Sequence, residues 1–188
     1  MAREDREERD MPLRQAGPSD ARRLAEIHIA SWQLAYRGII LDGVLDNLSV
    51  ERRREDWEAK LGGGADQVLV IERESRVIGF AAFGGSRDED ADDRIGEIRA
   101  IHLVPEEWRK GYGSALMEAT VASLREEGFA DVTLWVLREN RDAQRFYEAK
   151  GFEADGATKV DTRRDGAERH EVRYHLSLVK GSHARVGC

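Results

Sequence analysis

The sequence predicts a single α/β (α+β) domain with a mixed central sheet, about six to seven strands flanked by about four helices. Three observations carry this. Residues 132–137 are nearly continuous in apolar and β-branched side chains, as a strand buried on both faces reads, often one with a parallel neighbour. The helical stretch after Gly113 separates that strand from the apolar stretch 95–104 and supplies the crossover that parallel pairing requires. Residues 67–72 with 77–83, and 152–162 with 168–178, read as two hairpins, so antiparallel strands bracket the parallel pair.

The chain has 188 residues, enough for one domain with a closed core, and it shows no internal repeat. Its hydrophobic fraction of 40% and charged fraction of 36% read as a soluble, heavily charged globule. A net charge of −7 argues against a nucleic-acid binder, which normally shows a basic face, and leaves room for cationic small molecules. The one cysteine, Cys188, can form no internal disulfide and reads as inert, which fits a reducing, cytoplasmic setting. No apolar run approaches the ~20 residues of a membrane span. Residues 1–10 alternate arginine with acids and lack the apolar region of a secretory leader. Residues 1–11 are therefore expected to be a disordered arm, 12–180 the domain, and 181–188 a loose tail.

In order, Leu13 begins a short strand, and Ser19 or Asp20 is expected to cap a first helix after Pro18. Ala21, Leu24, Ala25, His28 and Trp32 recur at helical spacing, and the helix is expected to end near residues 31–33. His28 lies on that buried face and reads as a core histidine. Residues 35–46 are too apolar for a linker and too broken by glycine for a long helix, so they are expected to pack over something. Ser49 caps a second helix that the triple glycine 62–64 stops. Residues 86–94 form an acidic loop, either a solvated connection or a means of steering cationic substrates. The helix after Gly113 is expected to bury Ala115, Leu116, Ala119 and Ala122 and to be capped by Gly128. Asn140 caps a last helix that Gly151 ends, and the final hairpin turns at Asp165 and Gly166.

The stretch from Ile101 to Met117 organises the rest. An apolar strand meets Pro105, a charged loop tightens through Gly111 and Gly113, and an amphipathic helix follows. Such a loop aims several backbone N–H groups at one spot beside the positive end of a helix, which suits an anion such as a pyrophosphate. The loop Gly-x-x-x-x-Gly-Lys-Ser/Thr is absent, which argues against a nucleoside-triphosphate enzyme.

With Asn140, Ala143, Phe146, Tyr147, Gly151 and Phe152 placed after that loop, the chain resembles the GNAT superfamily of acyl-CoA-dependent N-acetyltransferases. The loop is similar to the family's coenzyme-A pyrophosphate loop, usually Gln or Arg, two residues, Gly, one residue, Gly or Ala. The later residues are similar to its Asn…Ala…Phe-Tyr…Gly-Phe signature. Residues 28–32 with 35–38 also resemble a bacterial branch of the family, and the resemblance spans roughly 12–178. One departure is Trp108, which stands where Gln or Arg is usual, with Arg109 and Lys110 following. It is expected to pack on the neighbouring helix and not to contact the ligand.

The resemblance implies that acetyl-CoA is the co-substrate, with no metal, and that its acetyl group passes directly to a primary amine of a small-molecule acceptor. It implies that pantetheine fills a gap beside the strand, bonded by the backbone of Ile101, His102 and Leu103, with the Leu103 N–H facing the thioester oxygen. Arg109, Lys110, Gly111, Tyr112, Gly113 and Ser114 would hold the pyrophosphate, and Asn140 and Ala143 would border the coenzyme. Tyr147 matches the family's thiolate-protonating tyrosine, and Glu97 the position that deprotonates the amine, often through water. Glu97 and Leu103 share one strand, six residues apart, so both side chains face one way unless a bulge intervenes. Trp32, Tyr36 and Arg37 are the acceptor-pocket candidates, and a homodimer follows from resemblance alone. A peptide or protein N-terminal acetyltransferase and a non-catalytic acyl-CoA sensor stay open as alternatives.

Overall fold

Alternation along the strands sets the layers. In β2 (Gln67–Arg73), Val68 and Val70 turn to one face while Leu69 and Ile71 turn to the other, and all four are buried. A strand of that kind needs cover on both sides, and it has it. The computed structural model describes residues 11–64, 66–162 and 168–179. Its seven strands lie in the order β1-β2-β3-β4-β5-β7-β6. Here β1 is Leu13–Gln15, β3 Arg76–Gly85, β4 Ile95–Leu103, β5 Asp131–Leu137, β6 Glu153–Thr162 and β7 Glu168–Ser177. Only β4 and β5 pair in parallel; every other neighbour is antiparallel.

On one face lie α1 (Ala21–Ala35) and α3 (Val50–Gly63), packed through Leu24, Ile27 and Trp57 onto Val70, Phe80 and Ala82. On the other lie α4 (Tyr112–Glu126) and α5 (Arg141–Ala149), with Leu116, Met117 and Leu124 against Ile98, Leu134 and Phe152. The short α2 (Asp42–Asp46) and its loop form a third small cluster, in which Ile40, Leu45 and Leu137 are buried. The apolar, broken stretch thus covers the end of β5. No helix among the described residues is long and apolar enough to cross a membrane.

Local chemistry explains most boundaries. Ser49 Oγ accepts the Arg52 N–H at the start of α3, and Gly64, at φ 65°, ends it. Asn140 Oδ1 accepts the Ala143 N–H at 3.1 Å and opens α5. Three expectations change. Pro18–Asp20 is a 3-10 turn, and Asp20 bonds back to the Gly17 N–H at 2.7 Å and to Arg14, so it does not cap α1 by its side chain. Helix α1 runs on to Ala35. The buried stripe of α4 is Leu116, Met117, Thr120 and Leu124, because the larger side chains claim the sheet and leave Ala115 and Ala119 at its margin. The expectations for residues 1–10, for the turn at 165–166 and for the tail from 180 lie outside the described residues.

Candidate active site

The site begins where β4 and β5 part. Their ladder holds only from Ile95 opposite Asp131 to Ile98 opposite Leu134. On its other side, β4 pairs with β3 from Gly96 to Leu103, but with a register shift: Phe83 faces Ile98 and Ala82 faces Ala100. Arg99 is the extra residue, a bulge that bends the strand away from β5. Past it, β4 has no strand partner on its β5 side. The Val104 N–H donates to Ile78 of β3 at 2.8 Å, so strand alternation aims the N–H groups of Ile101 and Leu103 into the opening. Gly79 makes room on the far side: a Cβ there would sit 2.7 Å from Leu103 Cγ and 2.9 Å from the His102 carbonyl oxygen.

The loop after β4 turns on two left-handed residues, Arg109 at φ 61° and Gly111 at φ 90°. The second is the conformation that glycine adopts without penalty. The first intrahelical bond of α4 runs from the Ala115 N–H to Gly111 O, so the N–H groups of Tyr112, Gly113 and Ser114 are left for another acceptor. Tyr112 is itself buried in the core and offers only backbone. Lys110 pairs with Glu107 at 3.2 Å, and Arg109 is exposed with no ion pair among the described residues. Trp108 turns inward, and its indole N–H donates to Leu103 O at 3.0 Å.

Tyr147 lies on α5 with its ring 5.5 Å from Phe146, 6.2 Å from Phe152 and 6.4 Å from Tyr174. Burial pushes its hydroxyl well above the ordinary tyrosine range, and nearby Tyr36 adds to the shift. Tyr36 packs edge-on to Trp32 at 5.0 Å, just past the C-terminal end of α1. Arg37 is exposed and paired with Asp46 at 2.8 Å and Asp42 at 3.2 Å, so its charge is spent within its own loop.

Glu97 falls on the opposite face of β4 from Leu103. Gly96 and Ile98 both face α4, which turns Glu97 away from it, and the Arg99 bulge then resets the alternation so that Leu103 faces α4. The common direction that holds without a bulge is therefore corrected. The Glu97 carboxylate accepts the Arg87 N–H at 3.2 Å, lies 3.5 Å from Arg99 Nε, and lines a cavity of about 410 Å³ where the strands part. Arg99 is itself bound by Asp66 at 2.8 Å, and burial pushes its guanidinium downward. On the same face of β4, the His102 ring meets Ser31 Oγ at 3.2 Å and lies tilted 4.7 Å from the His28 ring; burial lowers His102 to about 4.

The Acetyltransferase (GNAT) family model matches residues 24–152. The chain belongs to the GNAT acetyltransferase family. It is an acyltransferase in consequence, and the relatives agree. The uncharacterized N-acetyltransferase YuaI of Bacillus subtilis is 31% identical over 137 residues, 73% of this chain and 77% of the relative. Among solved structures, a GCN5-related N-acetyltransferase from Rhodopseudomonas palustris matches at TM-score 0.73 and 19% identity, over 89% of this chain and 96% of that one. The yncA protein of Salmonella typhimurium, solved with its cofactor acetyl-CoA, matches at TM-score 0.67 and 23% identity, over 92% and 96%.

In this GNAT fold the opening between β4 and β5, the Gly111 loop and Tyr147 sit together on one side, and Glu97 lines the cavity on the other face. Asn140 and Ala143 stand at the start of α5, their polar groups joined in the cap. Three residues escaped the sequence reading: Trp135, Arg99 and Arg173. A signal existed for two of them. Arg99 is a charge inside an apolar strand, where a bulge admits it, and Trp135 alternates against buried Leu134 and Val136.

Proposed function

We propose that the protein transfers the acetyl group of acetyl-CoA directly to a primary amine of a small-molecule acceptor. One observation carries the reading: the Arg99 bulge opens β4 from β5 while leaving the N–H groups of Ile101 and Leu103 aimed into the opening. An extended pantetheine arm fits such an unpaired strand edge. The donors of Gly113 and Ser114 at the start of α4, with Arg109 and Lys110 beside them, fit its pyrophosphate. Bound there, acetyl-CoA supplies an activated thioester.

The chain supplies the rest. The Leu103 N–H stabilises negative charge on the thioester oxygen as the amine attacks. Tyr147 gives its proton to the departing sulfur, and its burial among aromatic rings keeps that proton in place until then. Glu97, on the acceptor face, takes the proton from the ammonium, directly or through water. Tyr36 and Trp32 close the acceptor side above Tyr147, and Arg37 serves to shape its own loop.

The test is direct. Acetyl-CoA at saturating concentration raises the melting temperature, as a native-state ligand must, by an amount that grows with its concentration. Release of free coenzyme A thiol is then followed against polyamines, aminoglycosides, amino acids and peptides. No thermal shift sinks the coenzyme reading, and thiol release confined to peptides would replace the small-molecule acceptor.

A further inference from the structure

The cavity beside Glu97 is built around Trp135. Its indole N–H donates to both oxygens of Asp88, at 3.0 and 3.1 Å, and Asp88 is held in turn by Arg173 at 3.1 Å. Arg173 also binds Asp90 at 2.7 Å and Asp155 at 2.7 Å, and its guanidinium carbon lies 5.6 Å from the Trp135 ring centre. Asp88 and Asp90, two carboxylates of the acidic loop, are thus spent on orienting one ring. A tryptophan face fixed in this way attracts cations.

A cation is already there. Lys159 Nζ stands 4.1 Å from the Trp135 ring centre and 3.3 Å from a Glu171 carboxylate oxygen. The lysine side chain is 42% exposed and Glu171 16%, so the ammonium lies on the solvent side of a carboxylate that is mostly enclosed. Contacts of this exposed kind are individually weak, and a competing cation can displace the lysine. Glu97, Asp161 and Glu171 line the cavity with Arg99 and Lys159, but Arg99 is neutralised from behind by Asp66. With Lys159 swung out, Glu97 and Glu171 face the partly buried Trp135 ring, and no other lysine is among the lining residues.

We propose that this cavity recognises an alkylammonium group of the acceptor on the Trp135 face, and that Lys159 is a tethered competitor which the acceptor displaces. The proposal rests on the amine-acceptor reading above and narrows it to acceptors that bind as cations. Trp135 and Glu171 hold the charge, Arg173 and Asp88 position the ring, and Lys159 sets the threshold a ligand must exceed. A neutral ligand of the same size gains nothing from the ring's quadrupole and does not compete.

Indole N–H signals of the ¹⁵N-labelled full chain give the readout, with Trp135→Leu assigning the signal among the four tryptophans. Tetramethylammonium chloride is titrated at constant ionic strength without acetyl-CoA, and tert-butyl alcohol serves as the neutral probe of similar shape. Tetramethylammonium cannot be acetylated, so recognition is measured apart from transfer. It is expected to move the Trp135 signal, with half-saturation on the order of tenfold lower in Lys159→Met. Lys159→Arg, which keeps a tethered cation, is expected to stay near wild type, and tert-butyl alcohol to leave the signal in place. No movement in Lys159→Met, equal response to the alcohol, or half-saturation unchanged by Lys159→Met each overturns the proposal. Cation binding without acetyl transfer to any amine would leave this site standing and remove the acceptor reading beneath it.

Discussion

The indole N–H of Trp108 donates to the carbonyl oxygen of Leu103 at 3.0 Å, tying the loop to the last residue of β4. That strand end presents the Leu103 N–H to the opening, so the tryptophan steadies the proposed oxyanion donor from the opposite end of its residue. Trp108→Phe keeps most of the packing and loses the bond. It is expected to cost about 1 kcal/mol in urea unfolding and to raise the KM for acetyl-CoA. An unchanged KM would leave Trp108 a packing residue only.

Tyr147→Phe removes the proposed acid and little volume. Turnover is expected to fall on the order of 100-fold, with acetyl-CoA affinity by thermal shift nearly unchanged. Because burial raises the Tyr147 hydroxyl above its ordinary value of 10.0, the proton stays on through the neutral and mildly alkaline range. The kcat profile should therefore show no alkaline loss from this group below about pH 10.

His102 gives a pH dependence of opposite sense. Its native value of about 4 lies below the ordinary 6.5, chiefly from burial and secondly from Arg53, with Ser31 and the His28 ring also against it. The unfolded chain binds the proton more readily, so this stability is present above pH 6.5 and is lost as pH falls towards 4. The loss is at most about 3 kcal/mol, read from urea midpoints at pH 7.5 and 4.5. His102→Gln should flatten that difference, and an equal slope in the variant would clear His102 of it.

Gly79→Ala pushes a methyl group against Leu103 Cγ and, less yieldingly, the His102 backbone oxygen. The strain is expected to cost about 1–3 kcal/mol and to displace the end of β4. Melting temperature and acetyl-CoA KM should both worsen. A variant that is destabilised with normal coenzyme affinity would separate the core from the opening.

Asp66, whose side chain is 4% exposed, holds Arg99 at 2.8 Å and Arg87 at 2.6 Å. Asp66→Asn strands the enclosed Arg99 guanidinium and is expected to cost on the order of 3 kcal/mol. Asp66→Leu combined with Arg99→Met removes both charges and should recover much of that. Recovery by the pair is the discriminating measurement, because a purely steric role for Asp66 would not show it.

Features set by near neighbours in the chain were legible from sequence. Ser49 and Asn140 cap helices through residues three positions on, and Gly111 and Gly128 take the positive φ that their places require. The sheet order was legible in outline because the apolar run of β5 needs a crossover partner. The facing of Glu97 was not, since one bulged residue, Arg99, inverts the alternation and only the β3 register reveals it. Nor was the Trp135 cluster, whose Arg173 meets Asp88 and Asp90 across more than 80 residues of chain. Read alone, those aspartates looked like surface charge.

The order of the strands has a bearing on how the protein is made. Strand β7 lies between β5 and β6, and β6, at the sheet edge, pairs with β7 alone. Synthesis proceeds from the N-terminus, so β5 emerges with an open edge and β6 with no partner until β7 has been made. The Gly111 loop and Tyr147 are complete by then, while the Trp135 face still lacks Glu171 and Arg173. The proposed acceptor cavity is thus the last part of the fold to be completed, and a polypeptide halted before β7 carries an exposed, nearly all-apolar strand where that cavity would form.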